Sequence, residues 1–316
     1  MTRRLLADIG GTNARFALSE GGGLPQAERK LAVADYSGVV EAAQAYLAGR
    51  AVEEAVFAVA TPVRGDAVAF TNNPWRFSIL EAKRQLGLER LTVINDFVAQ
   101  AASISLLDAE DLSVLKPGAP QEGQPRVVLG PGTGLGVAFV LHEGGATHIL
   151  PSEGGHASFA PEDELEAEIL RRMRPLHGGH VSAERLLSGP GLLQIAQILG
   201  EIRGTPTPAA SPADVTRLAA PGGCPACAEA AHVFSAMLGA TAGNLALTLL
   251  AEGGVFIAGG LCRNMGPLLD REALLRAFHA KGRFAGFLEG VPVVQLLRPH
   301  TGLLGAAAYR PRLSAG

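Results

Sequence analysis

Residues 5–18 read LLADIGGTNARFAL, and this stretch decides the fold class of the chain. Its first half is mainly apolar up to Gly10 and Gly11, which predicts a β-strand that enters a tight turn. Residues 14–18 predict a second strand that folds back on the first. Beyond this stretch, predicted strands and helices alternate along the chain, a pattern typical of the α/β class.

The turn after the first predicted strand has the composition of a phosphate-binding loop. Gly10 and Gly11 let the backbone approach a phosphate, and successive N–H groups form an anion-binding concavity. Thr12 and Asn13 add side-chain donors, and Asp8 at the strand end could hold Mg²⁺ directly or through a water molecule. A plain hairpin turn has the same pair of glycines and stays open as the alternative.

A second glycine-rich stretch, residues 130–136, reads GPGTGLG. Four glycines in seven positions cost backbone entropy, so backbone exposed to a ligand explains them better than a simple turn. Gly132, Thr133 and Gly134 form its centre. Thr133 has a place similar to that of Thr12, since both stretches predict a strand, a turn and a second strand. This similarity between the two segments suggests two related domains that face a common cleft.

A third pair of glycines, Gly259 and Gly260, follows a predicted strand over residues 255–258. In a doubly wound sheet, ligands lie beyond the carboxyl ends of the strands. A strand-to-helix turn is an equally good interpretation of this pair. The chain has no Gly-Lys pair, which excludes a Walker A loop, and the spacing in residues 130–136 is not the dinucleotide fingerprint.

Two polar residues, Asn95 and Asp96, follow a predicted strand over residues 91–94 and open a predicted helix over residues 96–107. An Asp at a helix start is often only an N-cap. In the functional alternative, Asp96 is the base that accepts a hydroxyl proton during phosphoryl transfer, and Asn95 holds a neighbouring hydroxyl. The helix N-terminus is expected to favour the ionised carboxylate.

A second polar group lies in residues 152–156, which read SEGGH. Glu153 accepts hydrogen bonds, His156 donates or accepts them, and the glycines bring both side chains close to one small ligand. Adjacent hydroxyls of a sugar need such short, convergent partners. A loop with a solvated Glu and a surface His is about as compatible with this segment. For Glu184, the simplest interpretation is a charge on a helix surface.

Composition argues against several other classes of protein. The chain has 316 residues, long enough for two domains, and 27 basic against 30 acidic residues give a net charge of −3. Without a basic face, we expect no nucleic-acid partner. No apolar run approaches ~18 residues, so no membrane span is expected, and neither is a signal peptide. Three cysteines fit a reducing cytoplasm better than a disulfide framework.

Two of the cysteines, Cys224 and Cys227, lie in the motif CPAC. This spacing occurs in redox-active pairs and in halves of zinc sites. A second Cys/His pair with suitable spacing is missing from the sequence, so zinc is weakly supported. Buried structural cysteines are the favoured interpretation.

Together these stretches resemble the bacterial ATP-dependent glucokinase family, within the hexokinase and actin-like sugar kinase superfamily. The resemblance spans nearly the whole chain in order. It rests on the motifs DIGGTNARFAL from Asp8, TNNPWRFS from Thr71, INDFVAQA from Ile94, GPGTGLGVA from Gly130, SEGGHASFAP from Ser152, HVSAERLLSGPGL from His180, GGVFIAGG from Gly253 and HTGLLGAAA from His300.

The resemblance implies a two-domain, actin-like ATPase fold of the ribonuclease H-like type. A small α/β domain would comprise residues 1–107 and 299–316, and a larger α+β domain residues 108–298, closing around a cleft over glucose. It also implies an activity, the transfer of the γ-phosphoryl group of ATP to the 6-hydroxyl of glucose, with Asp96 as the catalytic base.

The same resemblance implies sets of ligands. The sugar ligands of the family match Asn95, Thr133, Glu153, His156 and Glu184. Its first phosphate and Mg²⁺ loop matches Asp8, Gly10, Gly11, Thr12 and Asn13, its second phosphate loop matches Gly132, Thr133 and Gly134, and its adenosine pocket matches Gly259 and Gly260. Members of the family are often homodimers.

Some features keep alternatives open. Pro131 stands where a small residue such as Ala is common, and Ser152 replaces a Gly that often precedes the Glu. Another hexose, or another phosphoryl donor such as polyphosphate, therefore remains an alternative. A nucleotide-switched interaction ATPase would need the phosphate loops but no sugar-binding cluster. A sugar-responsive transcription regulator is disfavoured by the net charge and by the lack of a DNA-binding module.

Overall fold

The structure, a computed structural model, describes residues 2–70 and 72–311. Thr71, which begins one of the motifs above, and residues 1 and 312–316 lie outside the described part. The strands are β1 Arg3–Ile9, β2 Asn13–Glu20, β3 Gln26–Ala32, β4 Glu54–Val59, β5 Ala67–Ala69, β6 Arg76–Ser78, β7 Arg90–Asn95, β8 Leu112–Lys116, β9 Arg126–Pro131, β10 Leu135–Glu143, β11 Ala146–Ser152, β12 Val255–Ile257 and β13 Val293–Leu296. The helices are α1 Val39–Leu47, α2 Ile79–Gln85, α3 Asp96–Ser103, α4 Glu164–Met173, α5 Ala183–Leu186, α6 Gly189–Ile202, α7 Pro212–Leu218, α8 Pro225–Leu249, α9 Gly260–Met265, α10 Arg271–His279, α11 Ala285–Gly290 and α12 Gly302–Ala308.

The chain divides into two compact units. Among the described residues, the first unit comprises residues 2–108, 146–151 and 298–311. The second comprises Ala109–Gly145 and Ser152–Leu297. The C-terminal helix α12 therefore belongs to the same unit as the N-terminal strands.

The sheet of the first unit has the strand order β3-β2-β1-β4-β7. β2 is antiparallel to β1, whereas β1, β4 and β7 run parallel to one another. Ile9, Val59 and Asn95 are neighbours in register where these parallel strands end. The residues that follow them in the chain therefore lie along one edge of the sheet, where ligands of such folds bind.

Alternate residues of β1 pack on different sides of this sheet. Leu5 and Ile9 belong to a buried cluster with Tyr46 of α1, whereas Leu6 belongs to a cluster with Leu303 of α12. A strand imposes this alternation because successive side chains point to opposite faces. Both faces of β1 are thus covered by helices, and the chain that leaves its carboxyl end is firmly anchored.

The second unit repeats this topology. Its strands β10, β9, β12, β13 and β8 are neighbours in that order. β10 is antiparallel to β9, while β9, β12 and β13 are parallel. The order β10-β9-β12-β13 thus corresponds to β2-β1-β4-β7 of the first unit. The repeated strand–turn–strand pattern in the sequence reflects this repeated topology.

Helix α8 forms the centre of the core of the second unit. By length and composition it could cross a membrane, and it is the one such helix among the described residues. However, 67% of its most apolar window is buried inside the protein. Phe234 and Met237 on this helix share a core cluster with Val127 and Leu129 of β9. A helix that is apolar on all sides is typical of a buried core position.

Four strands, β3, β5, β6 and β8, were not anticipated from the sequence, and the two longest show why. β3 exposes all but one of its residues and carries several charges, so it lacks the apolar alternation that signals a strand. β8 pairs with β13, although the Pro- and Gly-rich composition of residues 115–125 predicts a loose segment, a linker or an exposed loop. Lys116 anchors the end of β8 by donating to the carbonyls of Glu289 and Val291, at 2.6 and 2.9 Å. The loose segment begins only at Pro117.

Candidate active site

The turn between β1 and β2 presents backbone at the edge of the first sheet. The N–H of Gly10 donates to the carbonyl of Asn13 at 2.9 Å and closes the turn. The side-chain amide of Asn13 donates to Oγ1 of Thr12, also at 2.9 Å. Both side chains predicted to add donors are therefore held together in this turn.

Residues 72–75 brace the turn from outside. Asn73, which is 8% exposed, donates from Nδ2 to the carbonyl of Gly10 at 3.0 Å and accepts the N–H of Trp75 at 2.8 Å. A Cβ atom on Gly11 would come within 2.9 Å of the Asn72 carbonyl oxygen, so only Gly fits there. Sequence reasoning assigned no role to Asn73. Asn just before a Pro favours a turn and could have indicated one.

Asp8 lies opposite Arg15 in the β1–β2 ladder. Its Oδ2 is 3.8 Å from Nη1 of Arg15, and its side chain is 19% exposed. Burial raises the pKa of this carboxyl, and the positive charge of Arg15 opposes the rise. At the start of α12, a Cβ atom on Gly302 would come within 2.5 Å of Cγ of Asp8, so that helix requires Gly at the position facing the carboxylate.

Asp96 lies at the junction between β7 and α3. The N-cap of α3 is Asn95, whose Oδ1 accepts the N–H of Phe97 at 2.9 Å. Asp96 is the first helical residue, and its Oδ1 accepts the same N–H at 2.9 Å. Burial raises the pKa of Asp96 to about 6, the negative charge of Asp8 adds to this rise, and the hydrogen bonds at the helix start only partly oppose it. The low pKa expected from the helix terminus is therefore wrong.

The pair Asp8 and Asp96 suits a divalent cation. The charge of Asp8 raises the pKa of Asp96, so the two carboxylates interact electrostatically. A cation with oxygen ligands would relieve this repulsion. Among residues 2–70 and 72–311, no group of three or more His, Cys, Asp or Glu side chains could hold a metal. The two carboxylates match the preference of Mg²⁺, which usually takes one or two carboxylates and completes its shell with water and phosphate oxygens.

The glycine turns of the second unit pack on each other. The N–H of Gly132 donates to the carbonyl of Gly134 at 2.8 Å, which leaves Thr133 exposed at the tip of the β9–β10 turn. Gly259 precedes α9 with φ of +90°, and a Cβ atom there would collide with the Pro131 carbonyl oxygen. The third glycine pair is therefore a strand-to-helix turn that also lies against the second glycine stretch, with Gly260 as the first residue of α9.

Glu184 is tied to the β9–β10 turn. Its Oε2 accepts the N–H of Leu135 at 2.9 Å, and a Cβ atom on Gly134 would collide with the same carboxylate. The side chain is 26% exposed. An ordinary helix-surface charge is therefore a wrong interpretation of Glu184. The contact joins residues 49 positions apart, which no local pattern reveals.

Two carboxylate side chains, those of Glu153 and Glu184, lie near His156. Its Nε2 lies 3.8 Å from Oε2 of Glu153, and its Nδ1 lies 3.9 Å from Oε1 of Glu184. Both distances exceed a hydrogen bond, so these atoms keep their bonding capacity for a ligand. His156 and Glu153 are 60% and 55% exposed. Gly155 permits the arrangement, because a Cβ atom there would collide with the Leu135 carbonyl oxygen.

The candidate residues thus form two clusters, each within its own unit. The cluster of the first unit contains Asp8, Gly10, Gly11, Thr12, Asn13, Asn95 and Asp96. The cluster of the second unit contains Gly132, Thr133, Gly134, Glu153, His156, Glu184, Gly259 and Gly260. Each cluster combines a glycine-rich turn with carboxylate and amide or imidazole groups.

A protein-family model described as Glucokinase matches residues 5–312. The chain belongs to the glucokinase family. A glucokinase of Aromatoleum aromaticum is 42% identical over 320 residues, which cover 99% of this chain and 96% of that protein. The resemblance drawn from the motifs is thereby confirmed.

Two solved structures share the fold of this chain. A crystal structure of a glucokinase from an Antarctic psychrotroph has a TM-score of 0.89 and 34% identity, and covers 98% of both chains. A ROK family glucokinase from Streptomyces griseus, in complex with glucose and AMPPNP, shares the fold with a TM-score of 0.63, at 21% identity and over 96% of this chain and 98% of that one. The prediction of an α/β, actin-like sugar kinase fold is confirmed.

Proposed function

We propose that the chain is an ATP-dependent glucokinase in which Asp96 accepts the proton of the 6-hydroxyl of glucose as that oxygen takes the γ-phosphoryl group. The products are glucose 6-phosphate and ADP. The observation that carries the role of Asp96 is its position, a half-buried carboxylate that follows the end of a parallel strand, at the same sheet edge as the glycine turn after Asp8. Ligands of α/β sheets bind at such strand ends.

A pKa of about 6 suits this role. At neutral pH the carboxylate is mainly ionised, yet it is a stronger base than an exposed Asp. Phosphoryl transfer passes through a loose transition state, so the hydroxyl needs orientation more than early deprotonation. Asp96 would orient the 6-hydroxyl so that its oxygen lies in line with the phosphorus and the leaving oxygen. The carboxylate would receive the hydroxyl proton as the new bond to phosphorus forms.

The glycine turns would bind ATP. Backbone N–H groups around Thr12 and Thr133 would donate to phosphate oxygens, and Gly259 and Gly260 would lie beside the adenosine. Mg²⁺ would be held through Asp8, directly or through water, and supplies charge neutralisation at the phosphates when bound. Arg15, 3.8 Å from Asp8, would keep that carboxylate oriented.

The polar cluster of the second unit would bind sugar hydroxyls. Glu153, His156 and Glu184 offer both acceptors and a donor, and Glu184 is fixed by the N–H of Leu135. Asn95 and Thr133 would bind further hydroxyls. Such a cluster favours a sugar kinase over a nucleotide-switched interaction ATPase, which does not bind a sugar.

We further expect the protein to be a cytoplasmic homodimer without nucleic-acid or membrane partners. Light scattering after size-exclusion chromatography tests the dimer.

The experiment is a coupled assay of ADP release over a panel of hexoses, with ATP and polyphosphate as alternative donors. We expect ADP release that depends on glucose and is much weaker with epimers. Equal turnover of several hexoses would make the chain a general hexokinase. Sugar-independent ATP hydrolysis would favour the interaction ATPase instead.

A further inference from the structure

The motif CPAC lies at the start of the long helix α8. Cys224 is the N-cap of this helix and Pro225 its first residue, which places Cys227 in the first turn. The N–H of Cys227 donates to the carbonyl of Cys224 at 3.1 Å. This hydrogen-bonded turn therefore places both cysteines at the N-terminal end of α8.

A single hydroxyl group contacts both sulfur atoms. Oγ1 of Thr207 lies 3.1 Å from Sγ of Cys227 and 3.5 Å from Sγ of Cys224. Thr207 comes from the Pro-rich segment before α7, which is distant from Cys227 in sequence. Its hydroxyl can donate to whichever sulfur is ionised. Two thiols that share one hydroxyl partner at a helix N-terminus have an environment that stabilises a thiolate.

The two cysteines differ in exposure and acidity. Cys224 is partly exposed, whereas Cys227 is fully buried. Burial is the largest single influence on the pKa of Cys224, and it raises that pKa. Four hydrogen bonds oppose burial: one with Thr207, two with the N–H and the thiol of Cys227, and one with the N–H of Ala226. Together they lower the pKa of Cys224 below the ordinary value. Burial raises the pKa of Cys227. An accessible, acidic thiol beside a buried, less acidic one is the asymmetry of a nucleophilic and a resolving cysteine.

We propose that Cys224 and Cys227 form a redox-active pair that closes to an intramolecular disulfide when the protein meets a peroxide. This assignment replaces the interpretation of both as buried structural cysteines. It does not depend on the proposed kinase activity, because neither cysteine belongs to the clusters that we assign to ATP and glucose.

The chemistry balances in two steps. The Cys224 thiolate attacks one oxygen of hydrogen peroxide, the O–O bond breaks, and hydroxide leaves as Cys224 becomes a sulfenic acid. The Cys227 sulfur then attacks the Cys224 sulfur, the S–O bond breaks, and water leaves with the Cys227 proton. Across both steps, each thiol loses one hydrogen atom, and one peroxide is reduced to two water molecules.

Cys262 serves as an internal control. It is fully buried, and burial raises its pKa to about 12. It should therefore remain a reduced thiol in the folded protein. Cleavage after Glu201, Glu229 and Glu252 separates Cys262 from the other two cysteines, which stay together on one peptide.

The experiment treats the folded, full-length protein with hydrogen peroxide, alkylates the remaining thiols after denaturation, and maps the peptides by mass spectrometry. We expect the peptide of residues 202–229 to carry no alkyl group and to lack two hydrogen atoms, with both thiols restored by dithiothreitol. Cys262 should be alkylated in full. Recovery of two alkylated thiols on peptide 202–229 would overturn the proposal, as would sulfinic acid at Cys224 without any disulfide.

Matched variants test the role of each group. In Cys227→Ser, we expect Cys224 to accumulate as sulfenic acid, trapped by dimedone. In Thr207→Val, native alkylation of Cys224 should slow by about threefold to tenfold, because loss of the donor raises the thiol pKa. Thr205→Val, at an exposed position in the same segment, should react like the parent protein. Equal dimedone labelling in the parent and in Cys227→Ser would contradict a resolving role for Cys227.

Discussion

At the scale of single residues, Asp96 shows how burial overrides a local signal. Burial and the charge of Asp8 raise its pKa to about 6, although the N–H groups at the start of α3 bond to the carboxylate. The motif alone suggested the opposite direction, because a helix start is visible in the sequence and burial is not. Replacing Asp96 should therefore change both the turnover of the enzyme and the pH dependence of its stability.

Asp96→Ala should remove the base while leaving the fold intact. We expect kcat for glucose phosphorylation to fall by ~10²–10⁴-fold, the usual contribution of a positioned base. The exposed Asp35→Ala in the same unit is the control and should keep normal turnover. Near-normal kcat in Asp96→Ala would exclude this carboxylate from the mechanism.

Asp96→Asn should make the protein more stable at neutral pH. The folded-state pKa of about 6 lies above the ordinary 3.8, so the stabilising protonated form is fully present below pH 3.8 and is lost as the pH rises through 6. Asn keeps the bond to the N–H of Phe97 and has no proton to lose. We expect a gain of roughly 1–3 kcal/mol above pH 7, reduced by partial exposure, and almost none near pH 4.

Urea unfolding of both proteins at these two pH values measures the difference. Glucose and nucleotide are left out, so that ligand binding does not contribute to stability. A stability difference that stays constant with pH would show that the Asp96 carboxyl titrates normally.

At the scale of elements, helix α12 depends on its small residues. A Cβ atom on Gly305 would collide with the backbone of Ala99 in α3, the helix that begins at Asp96. Close approach of these two helices holds the start of α3 against the sheet. Glycine at position 305 therefore has a packing reason that the sequence alone did not supply.

Gly305→Ala should disturb this contact. We expect a loss of about 1–3 kcal/mol in the free energy of unfolding, because the added methyl group meets backbone that cannot rotate away. Gly286→Ala in α11 is the matched control, since a methyl group there would meet no other heavy atom within 4 Å. The control should be neutral or up to about 1 kcal/mol more stable. Similar stabilities for the two variants would mean that α12 and α3 are not in such close contact.

Helix α4 contains a buried carboxyl, that of Glu166. Burial raises its pKa to about 7, and the nearby charges of Asp163 and Glu162 add to this while Lys281 opposes it. Stability from the protonated form is therefore present below pH 4.5 and is lost as the pH rises through 7.

Glu166→Gln keeps the acceptor for the Glu162 N–H and cannot ionise. We expect this variant to gain at most about 3 kcal/mol over the parent above pH 8, and little at pH 4. Thermal melts at the two pH values measure the gain. The exposed Glu164→Gln in the same helix should show no comparable pH dependence, and an equal response of both variants would exclude burial as the cause.

The elements also show what could be predicted from the sequence. β1 and β7 have apolar runs that end in glycine or polar residues. A Ser with a Glu three residues later is the pattern of a helix start, and Ser78 at the start of α2 accepts the N–H of Glu81. β3 and β8 were not predicted because their sequences lack a regular alternation of apolar and polar residues. The contact between Glu184 and Leu135 could not be predicted from the sequence. It depends on how α5 packs on β10, which no single segment encodes.

At the scale of the whole molecule, the chain carries the same strand arrangement twice, a hairpin followed by two parallel strands. In each unit the hairpin turn is glycine-rich and lies at the carboxyl end of the first parallel strand. The prediction of two phosphate loops follows directly from this pattern. A preference for one sugar does not, because hydroxyl discrimination in the proposed site would depend on fine placement of Glu153, His156 and Glu184.

Tracing a radiolabelled γ-phosphoryl group from ATP tests the proposed reaction most directly. With glucose present, we expect the label to appear on the 6-oxygen of glucose in step with ADP, and we expect Asp96→Asn to slow this transfer by ~10²–10⁴-fold while the protein stays folded. Label that appears as inorganic phosphate at the same rate with and without glucose, or full transfer by Asp96→Asn, would contradict it.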